Sequence, residues 1–161
     1  MNKPRIAVYP GTFDPVTKGH LDIMRRALNL FDRIVVAVSL NPNKNPHFSQ
    51  EDRVEFIKQA TQDLENFEVV PFNSLLTDFA KTNNASVIIK GLRAVSDFEF
   101  ELQMGLMNRT LDESIETLFM IPSQEYSFLS SNLVKEISLH GGETSNLVPE
   151  AVALALKNTR L

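Results

Sequence analysis

The sequence contains no cysteine among its 161 residues. Disulfides, thiolate metal sites and cysteine nucleophiles are therefore excluded together. Glycine is sparse, at six, and neither a Walker phosphate loop nor a Gly-x-Gly-x-x-Gly dinucleotide fingerprint occurs. Surplus positive charge is lacking too. Sixteen Lys+Arg against twenty Asp+Glu leave a formal net charge of −4, which argues against a dedicated nucleic-acid binder. No apolar run approaches the ~20 residues needed to cross a bilayer. The first apolar stretch, Ile6–Tyr9, is too short for a signal peptide. A soluble, cytoplasmic protein is expected, with no membrane or nucleic-acid partner. The rest is ordinary: 43% hydrophobic and 22% charged residues speak against disorder. The length suits one domain over residues 1–161, large enough to bury its own core.

Five short runs rich in Val, Ile or Phe stand out: Ile6–Tyr9, Ile34–Leu40, Phe67–Val70, Ser86–Ile89 and Thr117–Ile121. None alternates strictly between polar and apolar, so they predict strands buried on both faces of a parallel sheet. Proline follows four of them closely, as Pro10, Pro42, Pro71 and Pro122, and is expected to mark their carboxyl ends. Helical spacing appears between them: Leu21, Met24, Leu28 and Phe31 within 19–31; Val54, Ile57 and Ala60 after a capping box opening at Ser49; and Leu75, Leu76, Phe79 and Ala80 within 74–83. Ser96-Asp97-Phe98-Glu99 reads as a second capping box opening a helix to about Leu111. Segments 130–140 and 149–157 complete the set, with Pro149 suited to a first helical turn. The alternation predicts an α/β protein, a doubly wound five-stranded parallel sheet with helices on both faces. Ligands of such folds bind beyond the carboxyl ends of the strands, which directs attention to the loops at Pro10, Asn41, Pro71, Lys90 and Pro122.

The first loop, Pro10 to His20, joins a strand to a helix, and the helix N-terminus offers unpaired N–H groups to an anion. Gly11 lets backbone approach a ligand, Thr12 adds a hydroxyl, Gly19 is small, and His20 is aimed back into the crevice. An isolated Gly-His pair is more often a structural turn than a site, so the surrounding residues matter.

Those residues, Gly11-Thr12-Phe13-Asp14-Pro15-x-Thr17-x-Gly19-His20, resemble the signature of the (His/Thr)-x-Gly-His nucleotidyltransferases, and within them the bacterial phosphopantetheine adenylyltransferases. Two further blocks agree in order and spacing. One runs from Lys90-Gly91-Leu92-Arg93 to Glu101, followed by Met107-Asn108-Arg109; the other runs from Pro122 to Glu136. The resemblance implies a Rossmann-like fold and transfer of AMP from ATP to 4′-phosphopantetheine, giving dephospho-coenzyme A and pyrophosphate. The nucleophile is already an anion, so alignment and charge stabilisation are what remain to be supplied.

By the same resemblance, His20, Lys44, Arg93 and Thr12 are the catalytic candidates. His20 would donate to an α-phosphate oxygen, Lys44 would neutralise the incoming phosphate, and Arg93 would hold the β- and γ-phosphates. Thr12 would touch both reactants. ATP would also meet Phe13, Gly91, Leu92, Glu101 and the segment Tyr126, Ser127, Phe128, Leu129, Ser130, Ser131 and Asn132, with the Ser131 hydroxyl on the γ-phosphate. Thr12, Lys44, Leu76 and Lys90 would take phosphopantetheine. Lys90 departs from the family's usual arginine, keeping the charge but not the bidentate fork. Taken by pattern alone, Lys44 is a solvated loop lysine, Glu101 a helix-surface acid and Leu76 a core residue. Asp97 and Glu99 read as first-turn acids of a capped helix, and His47 and His140 as surface residues.

No spacing of His, Asp and Glu suggests a protein-held metal, so Mg²⁺ is expected only through the phosphates of ATP. The apolar run Val148–Leu156 suggests burial against another copy, in keeping with the family's hexamer. Two competing readings are the same phosphate loop with another acceptor, such as nicotinamide mononucleotide or a cytidylyl acceptor, and an RNA-side protein. The Gly91-Leu92-Arg93 block disfavours the first. The lack of a Lys-Met-Ser-Lys-Ser sequence and of basic charge disfavours the second. A third, an inactive nucleotide-binding module, is disfavoured by Thr12, His20, Lys44 and Arg93 occurring together.

Overall fold

The computed structural model describes residues 3–41, 45–93 and 95–159, and for 95–97 the backbone alone. The five apolar runs form one parallel sheet: β1 (Ile6–Gly11), β2 (Arg33–Ser39), β3 (Phe67–Phe72), β4 (Val87–Gly91) and β5 (Glu116–Met120), in the order β3-β2-β1-β4-β5. The chain winds outward from β1 through β2 to β3, then returns to the other side of β1 for β4. That reversal opens a crevice at the carboxyl ends of β1 and β4.

β1 and β2 are buried along almost their whole length, as unbroken apolar runs require. The edge strands β3 and β5 are partly exposed and alternate more. Pro10 and Pro71 lie inside their strands rather than beyond them. Described pairing of β1 with β4 stops at Val8, while pairing with β2 continues to Gly11, so Pro10 breaks no rung on the β4 side. Pro71 sits on an edge strand, where a missing N–H can face away from the sheet.

Among the described residues six α-helices cover the sheet: α1 (Lys18–Ala27), α2 (Gln50–Ala60), α3 (Leu76–Thr82), α4 (Val95–Leu111), α5 (Ser131–Leu139) and α6 (Glu150–Asn158). Successive strand residues point to opposite faces and so feed two cores. Ala7, Tyr9, Ile34, Val36 and Val38 pack with residues of α1, α2, α5 and α6. Ile6, Val8, Val35 and Ala37 pack with Ala80 of α3 and with Ile115. Helices thus lie on both faces. α1 ends at Ala27, earlier than the periodicity predicts, and Leu28 becomes its C-cap. α4 begins at Val95, so Ser96 stands inside the helix rather than capping it.

Val148, Val152, Ala153 and Leu156 are buried in the chain's own core. The apolar character of 148–156 is therefore explained within the chain itself, with Leu154 left exposed. The unburied apolar surface lies elsewhere: Phe100, Leu106, Met107 and Leu111 of α4 are all more than half exposed, as is Ile121 beyond β5.

Candidate active site

A cavity of about 640 Å³ opens at the carboxyl ends of the strands. Every strand contributes to it: β1 through Tyr9 and the loop to His20, β2 through Ser39 and Asn41, β3 through Phe72 and Leu76, β4 through Lys90 to Arg93, and β5 through Pro122 and the segment entering α5.

The β1–α1 turn is built around an unusual cap. Thr17 is the N-cap of α1, and its hydroxyl accepts the His20 N–H. The usual Glu or Gln of a capping box is replaced by the imidazole: His20 Nδ1 accepts the Thr17 backbone N–H at 3.0 Å. An accepting Nδ1 carries no proton, so the neutral ring holds its hydrogen on Nε2. Burial, aided by the positive charge of Arg93, lowers the His20 pKa from 6.5 to about 3. The ring is thus a neutral Nε2–H donor in the cavity wall at ordinary pH.

His20 meets the Phe13 ring edge-on at 5.1 Å, and Phe13 in turn meets Tyr9. A Cβ at Gly11 would come within 2.8 Å of the Phe13 ring. The glycine therefore makes room for the Phe13 ring. Gly19 is filled in a similar way by Tyr126, whose Cβ lies 3.3 Å from where a side chain would start. Burial also raises the Tyr9 pKa, so its phenol stays neutral.

Thr12 sits between the two loops. Its hydroxyl accepts from Asn41 Nδ2 at 2.9 Å and lies 3.5 Å from the Ser39 hydroxyl. Across the cavity, the Lys90 ammonium is 3.3 Å from the Glu101 carboxylate. Glu101 is thus a charge partner of Lys90 in this structure. Arg93 donates to the Leu129 carbonyl at 3.2 Å, tying the end of β4 to the segment after β5. Asp22 of α1 accepts the N–H and the hydroxyl of Ser123, both at 2.8 Å, and so fixes the start of that segment.

Thr12, Phe13, His20, Leu76, Lys90, Gly91, Arg93, Glu101, Tyr126, Leu129, Ser130, Ser131 and Asn132 all line the cavity. Leu92, Ser127 and Phe128 do not; the Leu92 N–H is held by the Met120 carbonyl, and Phe128 points largely to solvent. Lys44 lies outside the described residues, as do the side chains of Ser96 and Asp97. The Ser131 hydroxyl donates to the Pro15 carbonyl at 2.8 Å. The hydroxyl thus faces the scaffold in this arrangement, and the backbone N–H groups opening α5 are further donors in the cavity wall.

Sequence reasoning did not single out Asp14 or Lys135. Asp14 is buried and accepts the N–H groups of His47 and Phe48 at 2.8 and 2.9 Å, and Lys135 Nζ stands 3.1 Å away in the cavity wall. The Asp14–Pro15 peptide is cis. A lysine one turn into α5 was a legible signal, since 131, 132 and 135 share a helix face. Among the described residues, no group of three or more His, Asp or Glu is placed to hold a metal ion, and no helix is long and apolar enough to cross a membrane.

Comparisons with known proteins bear on this geometry. Residues 8–137 match the cytidylyltransferase-like family. Over 149 residues the chain is 56% identical to the phosphopantetheine adenylyltransferase of Caldanaerobacter subterraneus subsp. tengcongensis, covering 92% of this chain and 93% of that one. It is 50% identical over 153 residues to the phosphopantetheine adenylyltransferase of Campylobacter hominis, covering 95% and 96%. The chain belongs to the phosphopantetheine adenylyltransferase family. A Vibrio parahaemolyticus structure assigned as a nicotinate-nucleotide adenylyltransferase shares the fold, with TM-score 0.73 at 17% identity over 97% of this chain and 93% of that one. A lipopolysaccharide core biosynthesis protein from Thermoplasma volcanium superposes more loosely, at TM-score 0.55 and 18% identity over 75% of this chain and 98% of that one.

The neutral His20 makes a prediction for stability. Its folded pKa lies below its unfolded value, so the unfolded chain takes up the proton first and stability rises with pH across the gap. The contribution is complete above about 6.5 and is lost as pH falls toward about 3. The urea midpoint should decline below pH 6.5, and His20→Asn should flatten that decline. An unchanged slope in the variant would show that His20 is not buried neutral.

Proposed function

We propose that this protein transfers AMP from ATP to 4′-phosphopantetheine, reversibly, forming dephospho-coenzyme A and pyrophosphate. What carries this reading is the convergence of Thr12, His20, Lys90 and Arg93 on one cavity, in a chain 56% identical to a phosphopantetheine adenylyltransferase.

The attacking group is a phosphate oxygen and needs no base. It bonds to the α-phosphorus of ATP in line with the bond to the β-phosphate oxygen, which breaks and leaves with its electron pair as pyrophosphate. No enzyme atom is bonded along the way. The chain's task is positioning and charge stabilisation. His20 fits as a fixed donor to an α-phosphate oxygen, because its tautomer is set by Thr17 and it is neutral before substrate arrives. Arg93 would grip the β- and γ-phosphates, where a guanidinium fork suits paired oxygens. Thr12 and the N–H groups opening α1 and α5 would face the remaining oxygens. Lys90 and Lys44 would receive the acceptor's phosphate, with Leu76 against its pantetheine arm.

Mg²⁺ would screen the triphosphate charge. The residues present suit an ion held by phosphate oxygens and water, since among the described residues the lining carboxylates, Asp14 and Glu101, each already face a lysine. Lys90→Arg should keep or lower the KM for phosphopantetheine, because a fork can hold Glu101 and a phosphate at once. A lost activity with an intact fold would give Lys90 another task.

We further propose that the protein works as a homohexamer in the cytoplasm, the exposed apolar face of α4 supporting self-association. Pyrophosphate release with ATP and a panel of acceptors tests the activity. Phosphopantetheine should be used and nicotinamide mononucleotide refused; the reverse preference would replace this reading.

A further inference from the structure

Arg53 lies in the first turn of α2 and is only 1% exposed, yet among the described residues no carboxylate hydrogen-bonds its guanidinium. Backbone carbonyls take its donors instead. Nη1 reaches the carbonyls of Thr12 at 2.6 Å and Ser39 at 2.8 Å, and Nη2 reaches Leu40 at 3.3 Å. Nε is shared between Phe48 at 3.1 Å and Ser49 at 3.2 Å. Three separate segments are held by one planar fork: the β1–α1 turn, the end of β2 and the start of α2. Lysine could not do this, since its single nitrogen cannot span the same set.

The Thr12 carbonyl is the informative contact. It shares a peptide unit with the Phe13 N–H, and in a trans peptide the two point in opposite directions. Holding the carbonyl on Arg53 therefore turns the Phe13 N–H away from Arg53. Phe13 itself has a positive φ of 50° and lines the cavity. Among the described residues its N–H has no acceptor, as an N–H reserved for a ligand should be.

We infer that Arg53 is a positioning residue for adenylyl transfer: it sets the Thr12–Phe13 peptide so that the Phe13 N–H meets the reacting phosphate. This rests on the adenylyl-transfer reading above. Arg53 touches neither reactant in this scheme and acts through the backbone it holds.

The test is Arg53→Lys with ATP and phosphopantetheine, alongside the wild-type enzyme. Turnover per folded molecule should fall by about 10–100-fold, the scale of a small misplacement at a reacting centre. Directly measured ATP affinity should stay within about twofold, because the N–H still meets the bound phosphate and its misplacement is felt mainly where the contact tightens, in the transition state. A merely structural arginine would lower the unfolding temperature and leave folded molecules turning over at the wild-type rate. That result would overturn the inference, as would ATP affinity falling by the same factor as turnover. If Arg53→Lys does not fold, the wild-type enzyme still decides. The Phe13 amide and the Arg53 Nη1–H that donates to the Thr12 carbonyl should both shift in resonance when phosphopantetheine and a non-reacting methylene analogue of ATP bind; resonances left in place would overturn it. A wild-type enzyme inactive on these two substrates would instead remove the reading on which the inference stands.

Discussion

His20→Ala is expected to lower kcat by roughly 10²–10³-fold, the cost of removing one preorganised donor to a developing oxyanion. The neutral imidazole is a finished donor before substrate arrives: Thr17 holds Nδ1 and Nε2 bears the proton. Its removal should affect charge stabilisation in the transition state far more than ground-state binding, so ATP affinity should change little. Near-normal turnover would overturn the assigned role. The low pKa of about 3 adds a second expectation. Between pH 5 and 8 kcat/KM should show no limb belonging to His20, because the ring does not titrate there in the free enzyme. A limb near pH 6.5 that vanished in His20→Ala would mean that the imidazole acts as an acid or base.

Replacing Arg93 by alanine should weaken ATP binding by about 10–150-fold, the range for losing a hydrogen-bonded charge contact of ~1.5–3 kcal/mol. The salt dependence of ATP binding should shrink with it, since one cation no longer faces the triphosphate. The substitution also has a readout inside the site. Arg93 is one of the two causes lowering the His20 pKa, the lesser one after burial. Without it, the His20 ring should titrate at higher pH, observable in its NMR resonances, while burial keeps it below the ordinary value. Unchanged ATP affinity would count against Arg93 as the triphosphate clamp. An unmoved His20 titration would show that the two side chains are farther apart electrostatically than the fold places them.

Much of this was legible in the chain. All five strands stand where Val-, Ile- and Phe-rich runs predict them; burial on both sides explains the central β1 and β2, while the edge strands β3 and β5 are partly exposed. Ser49 caps α2 and Ser130 caps α5, as local side-chain chemistry requires. The errors arose where a local signal competes with a distant partner. Pro10 reads as a strand end until the register shows one neighbour already gone. Nothing near Arg53 in the sequence announces the three segments that close around it. The Ser131 hydroxyl meets the Pro15 carbonyl, 116 residues earlier in the chain, a partner that no local signal announces.

The order of strands and helices, and the loop carrying Thr12 and His20, follow from composition and spacing, since periodicity and capping act within a few residues. Which groups are spent on the scaffold and which are left for a ligand was decided only by folding. Asp14 facing Lys135 and Arg53 grasping Thr12 join residues from different strand ends, and Glu101 facing Lys90 joins the end of β4 to the helix after it. A hydrogen bond depends on distance and direction in space, and separation along the chain sets neither.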